Sequence, residues 1–267
     1  MIKNILKYAL ISAITLGFVA CNDTEEQTQK KTVIKVGATP IPHAEILEFA
    51  KPLLKTKGYD LEIVEFTDYV TPNIAVDEGE LDANFFQHLP YLEEFNKNKN
   101  TNLVKTVNVH LEPMGLYSKK ITALSELQEG AIIAVPNDPT NESRALDILV
   151  KEGLLTFNDV ELKTVVDIKT NPRNFQIKEL DAPQLPRVLD EVDAAIINTN
   201  YALAADLNPV KDALILESKN SPYANIVVVK EGNENEDYIK ALNEVLNSNE
   251  VKEFIATKYQ GAIIEAF

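Results

Sequence analysis

The stretch AIIAVPNDPTNESRAL, residues 131–146, combines an apolar run, a polar turn and the start of a helix. The apolar run predicts a buried strand, and Asp138 followed by Pro139 predicts the N-cap and first position of the helix. Asn141 and Arg144 are three positions apart, so both point from one face of that helix. Ligands of open α/β sheets lie beyond the carboxyl ends of the strands, where the Arg144 guanidinium can bind a carboxylate through two parallel hydrogen bonds. A surface ion pair is the alternative role for this arginine.

The same alternation of strands and helices runs from Val33 to the end of the chain and predicts an α/β fold. We expect parallel sheets that are covered on both sides by helices with apolar faces. The predicted strands are 33–37, 59–66, 81–86, 103–111, 114–117, 131–136, 162–167, 176–180, 193–198, 214–217 and 226–230. The predicted helices are 42–57, 67–77, one from Pro90, 139–152, 183–189, 236–246 and 250–259.

The order of these elements predicts two lobes joined by two crossover strands. We assign residues 32–117 and 231–267 to the first lobe, and residues 118–230, with the hinge strands, to the second. A cleft between two lobes connected in this way can close by hinge motion around a small ligand.

The amino terminus has the layout of a bacterial secretion signal. In residues 1–20, Lys3 and Lys7 come first and are followed by an uncharged, mostly apolar run that ends in a small residue. Cys21 is the single cysteine, and its position after Phe18-Val19-Ala20 resembles the lipobox of bacterial lipoproteins, although Leu is usual where Phe18 stands. We therefore predict lipidation at Cys21 and a flexible tether over residues 21–31. An ordinary signal with an incidental cysteine is the alternative.

The charge of the chain limits its partners. It carries 41 acidic and 26 basic residues, for a formal net charge of −15. Such an acidic protein is not expected to bind nucleic acid or to hold anionic lipid through a basic patch. Contact with the membrane is therefore expected through the lipid anchor alone.

Polar and aromatic side chains follow several predicted strands and would converge if the lobes face each other. Arg144 and asparagine amides can hold an α-carboxylate and an α-ammonium, whereas aromatic rings can surround an apolar tail and favour a thioether. The candidates are Tyr69, Phe86, His88, Tyr91, Asn141, Arg144, Asn198 and Asn200.

Several of these residues have alternative roles. Phe85 and Phe86 point to opposite faces of a strand, so at least one belongs to the core. His88 can cap a helix. Asn198 and Asn200 share a side if the backbone is extended there, but they can also be turn formers.

Neither catalysis nor a metal or other cofactor is predicted. Ser143 has no suitably spaced histidine or aspartate, and Cys21 lies outside the predicted folded body. His43, His88 and His110 could form a zinc site in principle, but they lack short ligand spacing and an obvious fourth ligand.

Several long motifs in this order resemble the methionine-binding lipoproteins of the NlpA family. They are NFFQHLPYL at 84–92, VPNDPTNESRAL at 135–146, DAAIINTNYA at 193–202, SPYAN at 221–225 and KYQGA at 258–262. The likeness extends from Val33 to Phe267. Ser143 stands where the family often has glycine.

This resemblance implies a type II periplasmic-binding-protein fold with two crossover strands and a ligand cleft between the lobes. It implies delivery of methionine to an ABC importer composed of a permease and an ATPase, from a lipid anchor on the periplasmic or extracellular face of a bacterial membrane. It also places the eight candidates in the pocket and adds Asn225, which the pattern of elements had placed at a hinge.

The predicted function is that of a monomeric receptor for L-methionine, with D-methionine and methionine peptides left open as further ligands. A receptor for another small amino acid or a dipeptide is the main alternative. A secreted enzyme would need a nucleophile and a base in the cleft, and we find no such pair in the sequence. A surface adhesin or antigen with an idle pocket is the remaining possibility.

Overall fold

The computed structural model of the chain describes residues 31–267. The predicted signal peptide, Cys21 and the tether up to Lys30 lie outside these residues. No helix within the described part is long and apolar enough to cross a membrane.

The strands are β1 Val33–Ala38, β2 Asp60–Glu65, β3 Ala83–His88, β4 Leu103–Leu111, β5 Gly115–Tyr117, β6 Ile132–Pro136, β7 Thr156–Phe157, β8 Ile168–Thr170, β9 Gln176–Leu180, β10 Ala194–Ile197, β11 Ile215–Leu216, β12 Ala224–Lys230 and β13 Ile264–Glu265. The α-helices are α1 Glu45–Thr56, α2 Thr71–Asp77, α3 Leu89–Lys99, α4 Pro139–Lys151, α5 Thr199–Ala204, α6 Pro209–Asp212, α7 Asp237–Leu246 and α8 Asn249–Tyr259. Shorter helical segments are Pro40–Ala44, Leu124–Glu126, Val165–Asp167 and Ala182–Val188.

Two mixed sheets organise the fold. The first has the strand order β13-β4-β12-β3-β1-β2, and the second has the order β11-β5-β10-β6-β9. We call the first sheet and its helices lobe 1, and the second sheet and its helices lobe 2. Within lobe 1 the pairs of β1 with β2 and β3 are parallel, but β12 is antiparallel to both β3 and β4. In lobe 2, β6 is parallel to β9 and β10, whereas β5 is antiparallel to β10. The expectation of purely parallel sheets was therefore wrong.

The sheet pairings also move the predicted lobe boundaries. Strand β5 was assigned to the first lobe, but it pairs with β10 and β11 in the second sheet. Strand β12 was assigned to the second lobe, but it pairs with β3 and β4 in the first. The chain therefore crosses between the lobes at residues 112–114 and 217–223. Both crossings are irregular segments between strands, which apolar periodicity cannot locate.

Each sheet is buried on both faces, as the alternation of elements predicts. One face of the lobe 1 sheet belongs to the apolar core that contains Leu47 and Leu242. The other face belongs to the core that contains Val76 and Leu92. In lobe 2 one face packs with Leu146, and the other face packs in the same cluster as Leu185 and Ala202. Burial of both faces explains why the central strands β6, β10 and β12 are apolar over most of their length.

Two local predictions differ from the structure. The strand predicted at 162–167 is wrong, because Val165–Asp167 forms a helical turn closed by reciprocal hydrogen bonds between Thr164 and Asp167. Strand β3 continues to His88 rather than ending at Phe86. The extension matters because it brings His88 to the end of the strand, where α3 begins.

Candidate functional site

All nine candidate residues line one cavity between the lobes. Lobe 1 contributes Tyr69, Phe86, His88, Tyr91 and Asn225, and lobe 2 contributes Asn141, Arg144, Asn198 and Asn200. Three further residues that the sequence analysis did not select also line it: Gln87, Glu112 and Thr199.

Three helix starts position the polar part of this cavity. The Nδ1 atom of His88 accepts the amide of Tyr91 at 3.2 Å and so caps α3. The carboxylate of Asp138 accepts the amide of Asn141 at 3.0 Å and caps α4 as predicted. Asn198 is the N-cap residue of α5, but its side chain makes no capping bond. The backbone after β10 is thus helical rather than extended, and Asn198 and Asn200 reach the same cavity from the first turn of a helix.

Arg144 is buried, with 3% of its surface exposed. Its Nε lies 3.1 and 3.2 Å from the two carboxylate oxygens of Glu217, and its Nη2 donates to the main-chain oxygen of Glu112 at 2.7 Å. The guanidinium also lies over the ring of Tyr223, 4.4 Å from the centroid. Arg144 is thus in an ion pair, but a buried one at the crossing segments rather than one on the surface. Its Nη1 forms no hydrogen bond with the described residues.

An amide network connects the two lobes beside Arg144. The Nε2 of His88 lies 3.1 Å from Oδ1 of Asn141, which also accepts from Nδ2 of Asn198 at 2.9 Å. Burial, and then the charge of Arg144, lower the pKa of His88 to about 3, so the ring is neutral and its Nε2 carries the proton. The Oδ1 of Asn198 is buried and has no hydrogen-bond partner in the described protein. A buried acceptor of this kind calls for a donor that the described protein does not supply, such as a ligand group or an ordered water.

Aromatic rings form the opposite wall. Tyr69 stacks on Phe86 with centroids 5.8 Å apart and meets Tyr91 edge-on at 5.9 Å. The hydroxyl of Tyr69 donates to Oδ1 of Asn200 in lobe 2 at 2.6 Å, and burial raises its pKa, so it remains protonated. Of the two neighbouring phenylalanines, Phe86 lines this wall, whereas Phe85 packs in the core of lobe 1.

Glu112 is the main polar residue that the sequence analysis missed. It is 5% exposed, and its Oε1 lies 2.8 Å from Nε2 of His110 and 3.2 Å from Nε2 of His43. Its Oε2 accepts the amide of Asn200 at 3.0 Å. No local signal marks it, because it is one of 41 acidic residues and its partners come from distant parts of the chain.

The described residues contain one group that could ligate a metal. His43, His110 and Glu112 place their ligand atoms within 4.8 Å of one another. Two of the three histidines considered for zinc are therefore together, whereas His88 bonds to Asn141. The oxygen-to-nitrogen distances in the group are those of direct hydrogen bonds.

Two α/β lobes that are joined by two chain segments and enclose a polar and aromatic cavity define a periplasmic solute-binding protein. Residues 34–267 match the NlpA lipoprotein family, and the chain belongs to it. It is 44% identical over 272 residues to the methionine-binding lipoprotein MetQ of Bacillus subtilis, and the alignment covers 97% of this chain and 98% of that protein.

Two further relatives agree with this assignment. The D-methionine-binding lipoprotein MetQ of Escherichia coli is 40% identical over 267 residues, with 97% of both chains covered. A nutrient-binding protein of Burkholderia cenocepacia, solved bound to methionine, matches with a TM-score of 0.86 and 44% identity. That match covers 88% of this chain and the whole of the other. The sequence-based prediction of the family is confirmed.

Proposed function

We propose that this protein is a receptor that captures methionine and delivers it to an ABC importer. The single observation that carries the proposal is the cavity, which combines Arg144, buried amides and three aromatic rings between two lobes. The methionine ligand named for its relatives carries the three chemical groups that such a cavity can hold. We expect no catalysis, since the hydroxyl of Ser143 accepts the amide of Lys163 and does not line the cavity.

The carboxylate of methionine is assigned to Arg144. Its Nη1 is the guanidinium nitrogen without a partner in the described protein, while Glu217 orients the rest of the group. The Nε2–H of neutral His88 donates to Oδ1 of Asn141 and so fixes that amide in the same cavity lining. Charge-assisted hydrogen bonds in a closed cavity are stronger than the same bonds in water.

The ammonium group of methionine is assigned to two acceptors. Oδ1 of Asn198 is buried without a donor, and the carboxylate of Glu112 lies on the same cavity wall. The thioether tail is assigned to Tyr69, Phe86 and Tyr91, because sulfur contacts aromatic rings favourably.

The cellular setting follows from the amino terminus and the family. We propose that lipid on Cys21 holds a monomeric receptor on the periplasmic or extracellular face of the cell envelope. The importer partner consists of a permease and an ATPase.

Titration calorimetry on the full-length protein, stripped of ligand by unfolding and refolding, tests this function. We expect binding of L-methionine at micromolar or lower concentration, with D-methionine, norleucine and glycyl-methionine titrated beside the other amino acids. Norleucine replaces sulfur by a methylene group, and we expect it to bind within roughly tenfold of methionine, since sulfur–aromatic contacts contribute about 0.3–1.5 kcal/mol. No heat with either methionine enantiomer, or tighter binding of another solute, would contradict the proposal.

A further inference from the structure

Two buried histidines share one carboxylate oxygen behind the cavity. Oε1 of Glu112 lies 2.8 Å from His110 Nε2 and 3.2 Å from His43 Nε2. The imidazoles are 5.0 Å apart between centroids, and each also meets the ring of Phe85 edge-on. Neither histidine lines the cavity, whereas Glu112 does. The histidines therefore reach a ligand through Glu112 and, for His43, through Asn225.

The hydrogen bonds determine where each imidazole carries its proton. Nδ1 of His43 lies 2.7 Å from the hydroxyl of Thr39, and its Nε2 faces two oxygens, those of Glu112 and Asn225, so Nε2 is the donor. Nδ1 of His110 is buried with no partner in the described protein, and Nε2 again faces Glu112. Both rings are neutral, because burial lowers the pKa of His43 to about 4 and that of His110 to about 3. Glu112 thus accepts one neutral N–H on Oε1, from His110, while the Nε2–H of His43 donates to Asn225 at 3.0 Å. Burial raises the pKa of the Glu112 carboxyl group, so a cation beside it favours the ionised form.

The other charges of the site are already paired. Arg144 is balanced by Glu217, which leaves Glu112 as the carboxylate of the cavity wall without a cationic partner of its own among the described side chains. Oε2 of Glu112 accepts one main-chain amide, from Asn200, and retains acceptor capacity. A buried carboxylate with two donors and no cation is suited to a ligand that supplies the cation.

We propose that His110 is a positioning residue that holds the Glu112 carboxylate for the ligand's α-ammonium group, while His43 holds the amide of Asn225 in the same cavity lining, so that the receptor selects solutes with a free ammonium. This inference depends on the proposed binding of an amino acid. It predicts that compounds lacking the ammonium, such as 4-(methylthio)butanoate, or carrying it acylated, such as N-acetylmethionine, are rejected. The rejection arises because each leaves Glu112 buried without its partner.

The test compares the affinity for methionine with that for 4-(methylthio)butanoate in the full-length protein. We expect the wild type to prefer methionine by at least roughly a hundredfold, and Glu112→Gln to lose most of this preference. His110→Phe removes one donor to Glu112 and should reduce the preference roughly tenfold, whereas His43→Phe removes the donor to Asn225 and should reduce it less. His110→Gln, which retains an N–H donor, should restore part of it. The double variant His110→Phe/Glu112→Gln should have the same preference for methionine as Glu112→Gln alone.

Phe85→Leu is the matched control, because it disturbs the packing of both imidazoles without removing a donor. It should lower the melting temperature and leave the preference unchanged. An unchanged preference in both histidine variants, or an equal loss in Phe85→Leu, would overturn the inference. Stoichiometric zinc in the purified protein that is lost in His110→Phe would also overturn it, since the cluster would then serve a metal.

These results separate the two proposals. If the titrations select another amino acid, the preference is measured as the ratio of the affinities for that amino acid and for its deamino form. In that case only the methionine assignment fails. If methionine binds but the histidine variants keep the wild-type preference, only the positioning role fails. Binding of no amino acid at all would overturn both.

Discussion

Arg144 joins ligand recognition to the internal electrostatics of the protein. Its guanidinium lies between Glu217 and the ring of Tyr223, with 3% of the residue exposed. Removing one partner of a buried ion pair leaves the other charge without compensation, which costs more than the pair itself contributes. Substitutions here therefore change stability as well as affinity, and a test must separate the two effects.

Arg144→Ala should raise the Kd for methionine at least roughly a hundredfold, because the carboxylate loses its charged donor in a closed cavity. The same change should lower the free energy of unfolding by about 3–5 kcal/mol through the unpaired Glu217 carboxylate. Calorimetric titration and urea unfolding measure the two quantities.

The double variant Arg144→Ala/Glu217→Gln is the control for this prediction. It neutralises the remaining carboxylate and should regain part of the lost stability without regaining affinity. If Arg144→Ala kept the wild-type Kd, the guanidinium would have no contact with the ligand.

At this scale the sequence indicates only part of the site. Asn141, Arg144 and His88 can be found because each follows the end of an apolar strand, a position with a known relation to ligands. Glu112 cannot be found in this way, because its role depends on the distant residues His43 and His110. Burial and hydrogen bonding of that kind are properties of the folded chain.

Among the elements, the starts of α3, α4 and α5 bring the two lobes together. The Tyr69 hydroxyl donates to Asn200 at 2.6 Å, and the Tyr201 hydroxyl donates to the main-chain oxygen of Thr67 at 3.0 Å. His88 contacts Asn141 across the same gap. The structure is therefore a closed form in which hydrogen bonds from both lobes hold the cavity shut.

Tyr69→Phe should weaken methionine binding about fivefold and speed its dissociation, because the closed form loses one hydrogen bond of about 1 kcal/mol while the ring remains. Tyr91→Phe is the matched control, since the Tyr91 hydroxyl donates to the main-chain oxygen of Tyr69 within lobe 1. It should leave the dissociation rate closer to that of the wild type. Stopped-flow dissociation measures both variants, and equal rates would argue against a closing role for Tyr69.

Gly115 opens β5 directly after the first crossing segment. A Cβ atom at this position would lie 2.9 Å from the ring of Tyr117, which is itself buried. Gly115→Ala should therefore destabilise the protein by about 1–3 kcal/mol through overpacking. In a Tyr117→Leu background the added cost should be smaller, because the clashing ring is absent. Urea unfolding of the four proteins tests this coupling.

Strand direction is what the pattern of elements does not reveal. Apolar runs predict the positions of β1, β6, β9 and β10, but a run such as 224–230 reads the same whether its neighbours are parallel or antiparallel. The antiparallel pairing of β12 follows from the return of the chain from lobe 2, which is a property of the topology. The misplaced lobe boundaries have the same origin.

For the molecule as a whole, buried histidines determine part of the response to pH. His43, His88 and His110 have pKa values of about 4, 3 and 3, below the ordinary value of 6.5. The unfolded chain takes up protons on these rings below pH 6.5, whereas the folded protein does not until pH 3–4. Their contribution to stability is therefore complete above pH 6.5 and is lost as the pH falls towards 4.

We expect the free energy of unfolding of the ligand-free protein to decrease on acidification in this range, by about 1.4 kcal/mol per pH unit for each fully titrating histidine. Glu142 acts in the opposite direction: burial, and then Glu179, raise its pKa to about 7, so its contribution is lost as the pH rises from 4.5 to 7. Urea unfolding between pH 4.5 and 7.5 gives the free energy of unfolding as a function of pH. The slope of this dependence should be smaller in His88→Asn by the contribution of about one proton. An unchanged slope would place His88 in a protonated form in the folded state.

The two-lobe architecture and the family could be predicted from the sequence because long motifs keep their order along the whole folded region. The relation between the lobes could not, since it depends on side-chain contacts such as that of Tyr201 with Thr67. The predicted lipidation at Cys21 stays a prediction.

Arg144 is bonded to both segments that join the lobes, through the main-chain oxygen of Glu112 on one and the carboxylate of Glu217 on the other. An anion bound at Nη1 is therefore held by a guanidinium that is bonded to both crossing segments. A solute with a thioether and no carboxylate would contact the aromatic rings and leave Nη1 of Arg144 without a partner. We therefore expect a solute of this kind to bind without stabilising the closed form through the two crossing segments.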